Sequence, residues 1–151
     1  MIINDKNNFV SIVARLLKGL GYVNVKENAQ GSPIDITAEK DDEKYCFKCQ
    51  YDIDAVSAKN VESFAVAAKE AGYNNKIFVT NSSFISAAKK KGEEEGVTLW
   101  DRNTMDRLYI GVSDNLEDKV EPVKRSKAGY IVAVVVILLI VAALVYWFFI
   151  K

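Results

Sequence analysis

The chain of 151 residues contains no histidine, only two cysteines and two prolines, and no net formal charge. Each shortage removes a class of chemistry. With Cys46 and Cys49 as the sole thiols and no imidazole, one chain cannot complete a four-ligand zinc site from sulfur and nitrogen. The Cys46-x-x-Cys49 spacing also falls in a strand-like run, where residues i and i+3 point to opposite faces, unlike the helix start used by redox pairs. Two reduced, partly buried thiols are therefore expected. There is no internal repeat, and Gly19 and Gly21 match no nucleotide fingerprint, so nucleotide-driven chemistry is disfavoured. Of the 20 basic residues only Lys151 lies beyond residue 127, leaving 19 against 20 acidic residues before it. That balance withholds the broad basic footprint of tight nucleic-acid binders and leaves room only for a local patch.

What the chain has in abundance is apolar residues near its end. Residues 128–150 carry no charge over 23 positions, longer than the roughly 20 needed to cross a hydrocarbon core, and are read as a transmembrane helix. Tyr130 sits near one end of this run and Tyr146, Trp147, Phe148 and Phe149 near the other, as in an aromatic belt. Lys119, Lys124, Arg125 and Lys127 precede the run and Lys151 follows it, so the positive-inside rule places the N-terminal part in the cytoplasm. The polar stretch 111–127, with Pro122, is read as a linker, and residues 1–110 as one compact domain.

Within that domain the periodicity changes repeatedly. Phe9, Val13, Leu16, Leu17 and Leu20 recur at helical spacing over about residues 5–20. Tyr22 to Val25 alternates as a strand, and Gln30-Gly31-Ser32-Pro33 marks a turn into Ile34-Asp35-Ile36-Thr37-Ala38. The run Glu39-Lys40-Asp41-Asp42-Glu43 predicts a hairpin turn into a third strand, Lys44 to Tyr51. A helix over 57–71 is followed by a strand at Lys76 to Thr80. A third helix, with Ser82-Ser83 as its cap and Gly96 after its end, leads to a strand at Val97 to Trp100 and a short helix over 102–110. The order αβββαβαβα predicts an α/β fold with a mixed sheet flanked by helices. Lys89-Lys90-Lys91 with Glu93-Glu94-Glu95 is read as a solvated helix face with i,i+4 pairs.

Three polar residues fall where such a sheet can gather them. On the third strand Lys48 and Gln50 share a face with Cys46; on the second, Asp35 and Thr37 point away from the Ile34-Ile36-Ala38 face, and the hairpin can bring them to the same side as Lys48 and Gln50. A carboxylate, an ammonium and an amide around one point suit metal-dependent phosphodiester chemistry, which needs oxygen ligands for a hard cation and a positive group near the phosphate. Asp35 and the Gln50 amide oxygen are the candidate metal ligands, and Lys48 the candidate catalytic cation. Asp35 paired with Lys48 in a structural ion pair, Lys48 facing solvent, and Gln50 as a generic strand residue are the alternatives.

These stretches resemble the Mrr-like restriction endonucleases of the PD-(D/E)xK nuclease superfamily. The resemblance is carried by Phe9-Val10 through Leu20-Gly21-Tyr22, by Ile34-Asp35-Ile36 through Tyr45-Cys46-Phe47-Lys48-Cys49-Gln50, and by Val79-Thr80 with Phe84 and Ala88. It implies a restriction-endonuclease-like fold, Mg²⁺-dependent cleavage of double-stranded DNA, and a metal held by Asp35, Gln50 and the backbone carbonyl of Cys49. Two departures stand out. The family's usual order is Q-x-K, whereas here it is Lys48-Cys49-Gln50, and the acid that often follows the helix-one phenylalanine is Val10. Moving an ammonium by two strand residues shifts its anchor by about 6–7 Å. The expected function is thus a membrane-anchored endonuclease domain, or its catalytically inactive descendant binding nucleic acid or a protein.

Overall fold

The computed structural model describes residues 6–117. Helix α1 (Lys6–Gly19) leads into β1 (Val23–Glu27), β2 (Ile36–Lys40) and β3 (Glu43–Gln50). Then come α2 (Ala58–Glu70), β4 (Asn75–Thr80), α3 (Ser86–Glu95), β5 (Val97–Trp100) and α4 (Arg102–Glu117). The expected αβββαβαβα order holds throughout. The five strands form one sheet in the order β1-β2-β3-β4-β5. The first three pair antiparallel, whereas β3–β4 and β4–β5 are parallel, each bridged by a helix.

The sheet is covered on both faces, and β3 supplies both. Phe47 and Cys49 point into a cluster with Phe9, Val13, Ala14 and Leu17 of α1, and with Ile36, Ala38, Ile77 and Val79. Cys46 points the other way, into a cluster with Val61, Phe64, Ala65 and Ala68 of α2, Ala88 of α3, and Phe78. The two cysteines therefore lie on opposite faces, buried and reduced, as their spacing predicts. Burial pushes the Cys46 thiol up to about 12, against a smaller opposing pull from Lys76.

Local chemistry places the turns. The β2–β3 hairpin closes through Asp41 and Asp42, with φ of 53° and 64°. Positive φ at both central residues is what a two-residue type I′ turn demands. The strands thus run on through Glu39, Lys40 and Glu43, which the sequence had assigned to the turn. Helix α2 is capped by Ser57, whose hydroxyl accepts from the Asn60 N–H at 3.4 Å. Lys91 reaches Glu94 at 3.2 Å and Glu95 at 3.9 Å within α3, and Glu62 of α2 at 3.7 Å, so the charged face is paired as expected.

Three expectations need correction. Ile34 does not share the face of Ile36 and Ala38: it joins the α2 cluster, because the chain ahead of β2 is not yet in regular strand geometry. Ser82 and Ser83 do not cap α3, whose N-cap is Ile85. Instead the Ser83 carbonyl accepts from Val56 N–H, and Phe84 makes a parallel bridge with Val56, which holds these residues extended. Finally, residues 111–117, read as the start of the linker, continue α4 to Glu117. Val112 of that extension is buried and approaches Gly19 so closely that a Cβ there would collide with it. The rest of the linker and the apolar run 128–150 lie outside the described residues. Among the described residues no helix is long and apolar enough to cross a membrane.

Candidate active site

Asp35 is fixed before its side chain is considered. Its N–H donates to the Phe47 carbonyl at 2.9 Å and its carbonyl accepts from Asn28 N–H at 2.8 Å. Asn28 also donates through Nδ2 to the Ile34 carbonyl at 3.0 Å, so the residues entering β2 are tied to those leaving β1. The carboxylate is buried, with 4% of the residue exposed. Its Oδ2 accepts from the Cys49 backbone N–H at 2.8 Å and lies 3.1 Å from Lys48 Nζ. A buried carboxylate is tolerable only with such partners, and charged hydrogen bonds of this kind are the strong ones.

Lys48 is held from two sides, since Nζ also donates to the Ser32 carbonyl at 2.9 Å. It lines a cleft of ≈ 360 Å³ with Pro33, Gln50, Asn60, Ser63 and Phe64, at the carboxyl end of β3 and beside α2. Asp35 does not line this cleft. Gln50 turns towards α2, where its Oε1 accepts from Asn60 Nδ2 at 2.9 Å.

The structure thus brings Asp35, Lys48, Cys49 and Gln50 together, with Lys48 and Gln50 on one side of β3. It does not put the Gln50 amide against Asp35. Asn60 and the Ser32 carbonyl were not singled out in the sequence. Asn60 had a readable signal, a polar residue three positions after the Ser57 cap in the first turn of a helix that follows the site strand; Ser32 had none beyond its turn. Val10 is half-buried and packs on the α1 cluster.

The oxygen donors available, Asp35 carboxylate, Gln50 amide and Cys49 carbonyl, match in kind those that a hard divalent cation takes. Among the described residues no three of His, Cys, Asp and Glu gather as a metal site. A single carboxylate suits Mg²⁺ where the substrate's own phosphate completes the shell. The donors are thus right in kind for a hard cation, with a single carboxylate among them and the Gln50 amide oxygen already accepting from Asn60.

Comparison with known proteins agrees with this architecture. A crystallised protein of unknown function superposes with a TM-score of 0.59 at 22% identity, over 83% of this chain and 76% of its own. The restriction endonuclease MspJI, solved in complex with a 27-mer oligonucleotide, superposes with a TM-score of 0.54 at 16% identity, over 70% of this chain and 28% of its own. At such identities the likeness is one of fold. None of the curated proteins compared with the chain matches it. The restriction endonuclease family of Mrr catalytic domains matches residues 4–109, most of the chain and all of the sheet. On the strength of that match, this protein belongs to the Mrr-type restriction endonuclease family.

Proposed function

We propose that this protein is a DNA endonuclease domain that hydrolyses phosphodiester bonds at the Lys48–Gln50 cleft and is held at a membrane by residues 128–150, with its N-terminal part in the cytoplasm. The observation that carries the reading is the family match over residues 4–109, with Lys48 and Gln50 lining a cleft at the carboxyl end of β3; the 3.1 Å pairing of Lys48 with Asp35 is equally what a structural ion pair gives. MspJI, similar in fold, was solved with an oligonucleotide, which supports a nucleic acid as the ligand class.

In this reading Lys48 presents its ammonium to the phosphate and stabilises the charge that builds on the equatorial oxygens during displacement. Asp35, held by the Cys49 N–H, keeps a negative charge in a fixed place beside it. Gln50, steadied by Asn60, offers an amide to the same cleft. Mg²⁺ would be held by Asp35, the Gln50 amide oxygen and the Cys49 carbonyl, and when bound would polarise the phosphate and lower the pKa of a water.

The test is nicking of supercoiled plasmid by the full chain with Mg²⁺ or Mn²⁺. Nicking is expected, and Asp35→Ala should reduce it by at least about 10²-fold. Absence of nicking, or nicking indifferent to Asp35→Ala, rejects the reading. A second reading, a non-catalytic module that binds DNA, is favoured by Val10 in place of an acid and by Lys48 standing over Asp35. Nicking acquired only by the double exchange Lys48→Gln with Gln50→Lys would establish it.

A further inference from the structure

We infer that a second pocket, on the α1 and α4 side of the sheet, is a guanine-binding site that takes an unpaired guanine of a nucleic acid lying at the cleft. The inference rests on the nucleic-acid reading above for the source of the base. The pocket has a volume of ≈ 430 Å³, within the range of small-molecule sites. Its walls come from Phe9 of α1, from Tyr51 and Asn81 just beyond β3 and β4, and from Arg102, Asp106 and Tyr109 of α4. Tyr51 also lines the cleft that holds Lys48 and Gln50, so the two hollows adjoin through one side chain at the carboxyl ends of the strands.

The chemistry of the walls selects the ligand. Arg102 and Asp106 stand one turn apart in α4, and both are exposed. Among the described residues neither side chain has an ion-pair or hydrogen-bond partner, so a guanidinium and a carboxylate line one pocket with their valences unspent. Asn81 Oδ1 accepts from the Asp52 N–H at 2.8 Å, and with that oxygen engaged the group left to offer a ligand is the Nδ2 donor. The Tyr51 ring is backed by Phe9 at 5.9 Å, and the half-exposed Tyr109 adds a second ring for stacking. A phosphate fits this set poorly, because Asp106 would repel it. Guanine fits it well: N7 and O6 make a two-acceptor edge for a guanidinium fork, and N1–H with the 2-amino group makes a two-donor edge for a carboxylate. The other bases lack that paired donor edge. The guanine must be unpaired, in a single strand or extruded from a duplex, since pairing with cytosine occupies the edge that Asp106 needs.

The test is binding of the full chain to a short labelled oligothymidylate carrying one central guanine, against the same strand with thymine there, read by fluorescence anisotropy. Wild type should bind the guanine strand at least about tenfold more tightly, the discrimination a good bidentate contact gives. Asp106→Asn should lose the preference while binding the all-thymine strand as wild type does. Arg102→Lys should lose most of it although the charge is kept, because an ammonium cannot replace the planar fork. Equal affinity of wild type for the two strands overturns the inference, and so does a preference that survives Asp106→Asn. If the chain binds neither strand and nicks no plasmid, the nucleic-acid reading falls, and equilibrium dialysis with guanosine monophosphate then decides the pocket. Saturable binding that thymidine monophosphate does not share and Asp106→Asn abolishes keeps the guanine site, with a free nucleotide as its source; absence of such binding overturns the site as well.

Discussion

Along strand β3 alternate residues serve opposite purposes, and the contrast between its two faces explains how the site is built. On the α1 side Phe47 and Cys49 are fully buried, and Phe47 lies 5.6 Å from the Tyr22 ring and 6.0 Å from Trp100. On the α2 side Cys46 is buried, but Lys48 and Gln50 then open the cleft. The apolar face sets the register; the polar face uses it. A one-residue slip would exchange the two sets, burying an ammonium among aromatics, so the packing on one side enforces the geometry on the other.

The largest break in this comparison comes from the apolar side. Phe47→Ala should cost about 4 kcal/mol, the lost burial plus a cavity beneath α1, measured by denaturant unfolding. Next comes the polar side: Lys48→Met removes an ammonium from beside the buried Asp35, and a penalty of about 2–3 kcal/mol is expected, below that of a wholly buried pair because the lysine side chain is 22% exposed. A third prediction compares the faces through pH. In the folded chain Cys46 titrates at about 12 rather than near 9.0, because burial disfavours the thiolate. The unfolded chain therefore loses its proton first, so stability is intact below pH 9 and falls as pH rises towards 12. The loss between pH 9 and 10 should be about 1 kcal/mol, and Cys46→Ala should abolish that component. The smallest expected effect on stability is Asn60→Ala, about 0.5 kcal/mol for a solvent-accessible hydrogen bond. Its nicking rate should nonetheless fall about tenfold if the Gln50 amide must be held in place. A nicking loss no larger than the stability change would separate Asn60 from the site.

Much of this contrast was legible in the sequence. The α1 periodicity, the Ser57 cap, the strand alternation of Cys46 to Gln50 and the family motif gave the fold and brought Asp35 and Lys48 together. What was hidden depends on tertiary partners. The side taken by Ile34 turned on where regular strand geometry begins, and the extended course of Ser82 to Phe84 on a bridge to Val56, 28 residues earlier in the chain. The helix across 111–117 was obscured by its polar composition, since its anchor is one buried valine opposite a glycine. Asn60 and the Ser32 carbonyl act on Gln50 and Lys48 from elements that carry no motif of their own.

The two-residue turn at Asp41 and Asp42 sets a limit on how this gene can change. Because it joins β2 and β3 with no slack, the turn acts as the ruler that aligns Asp35 with Lys48 at the far end of the hairpin. Inserting or deleting a single codon there would be far more damaging than most substitutions at the same place, although the turn itself is exposed and distant from the cleft. A lineage carrying this domain should therefore accumulate changes of identity at the turn while preserving its length.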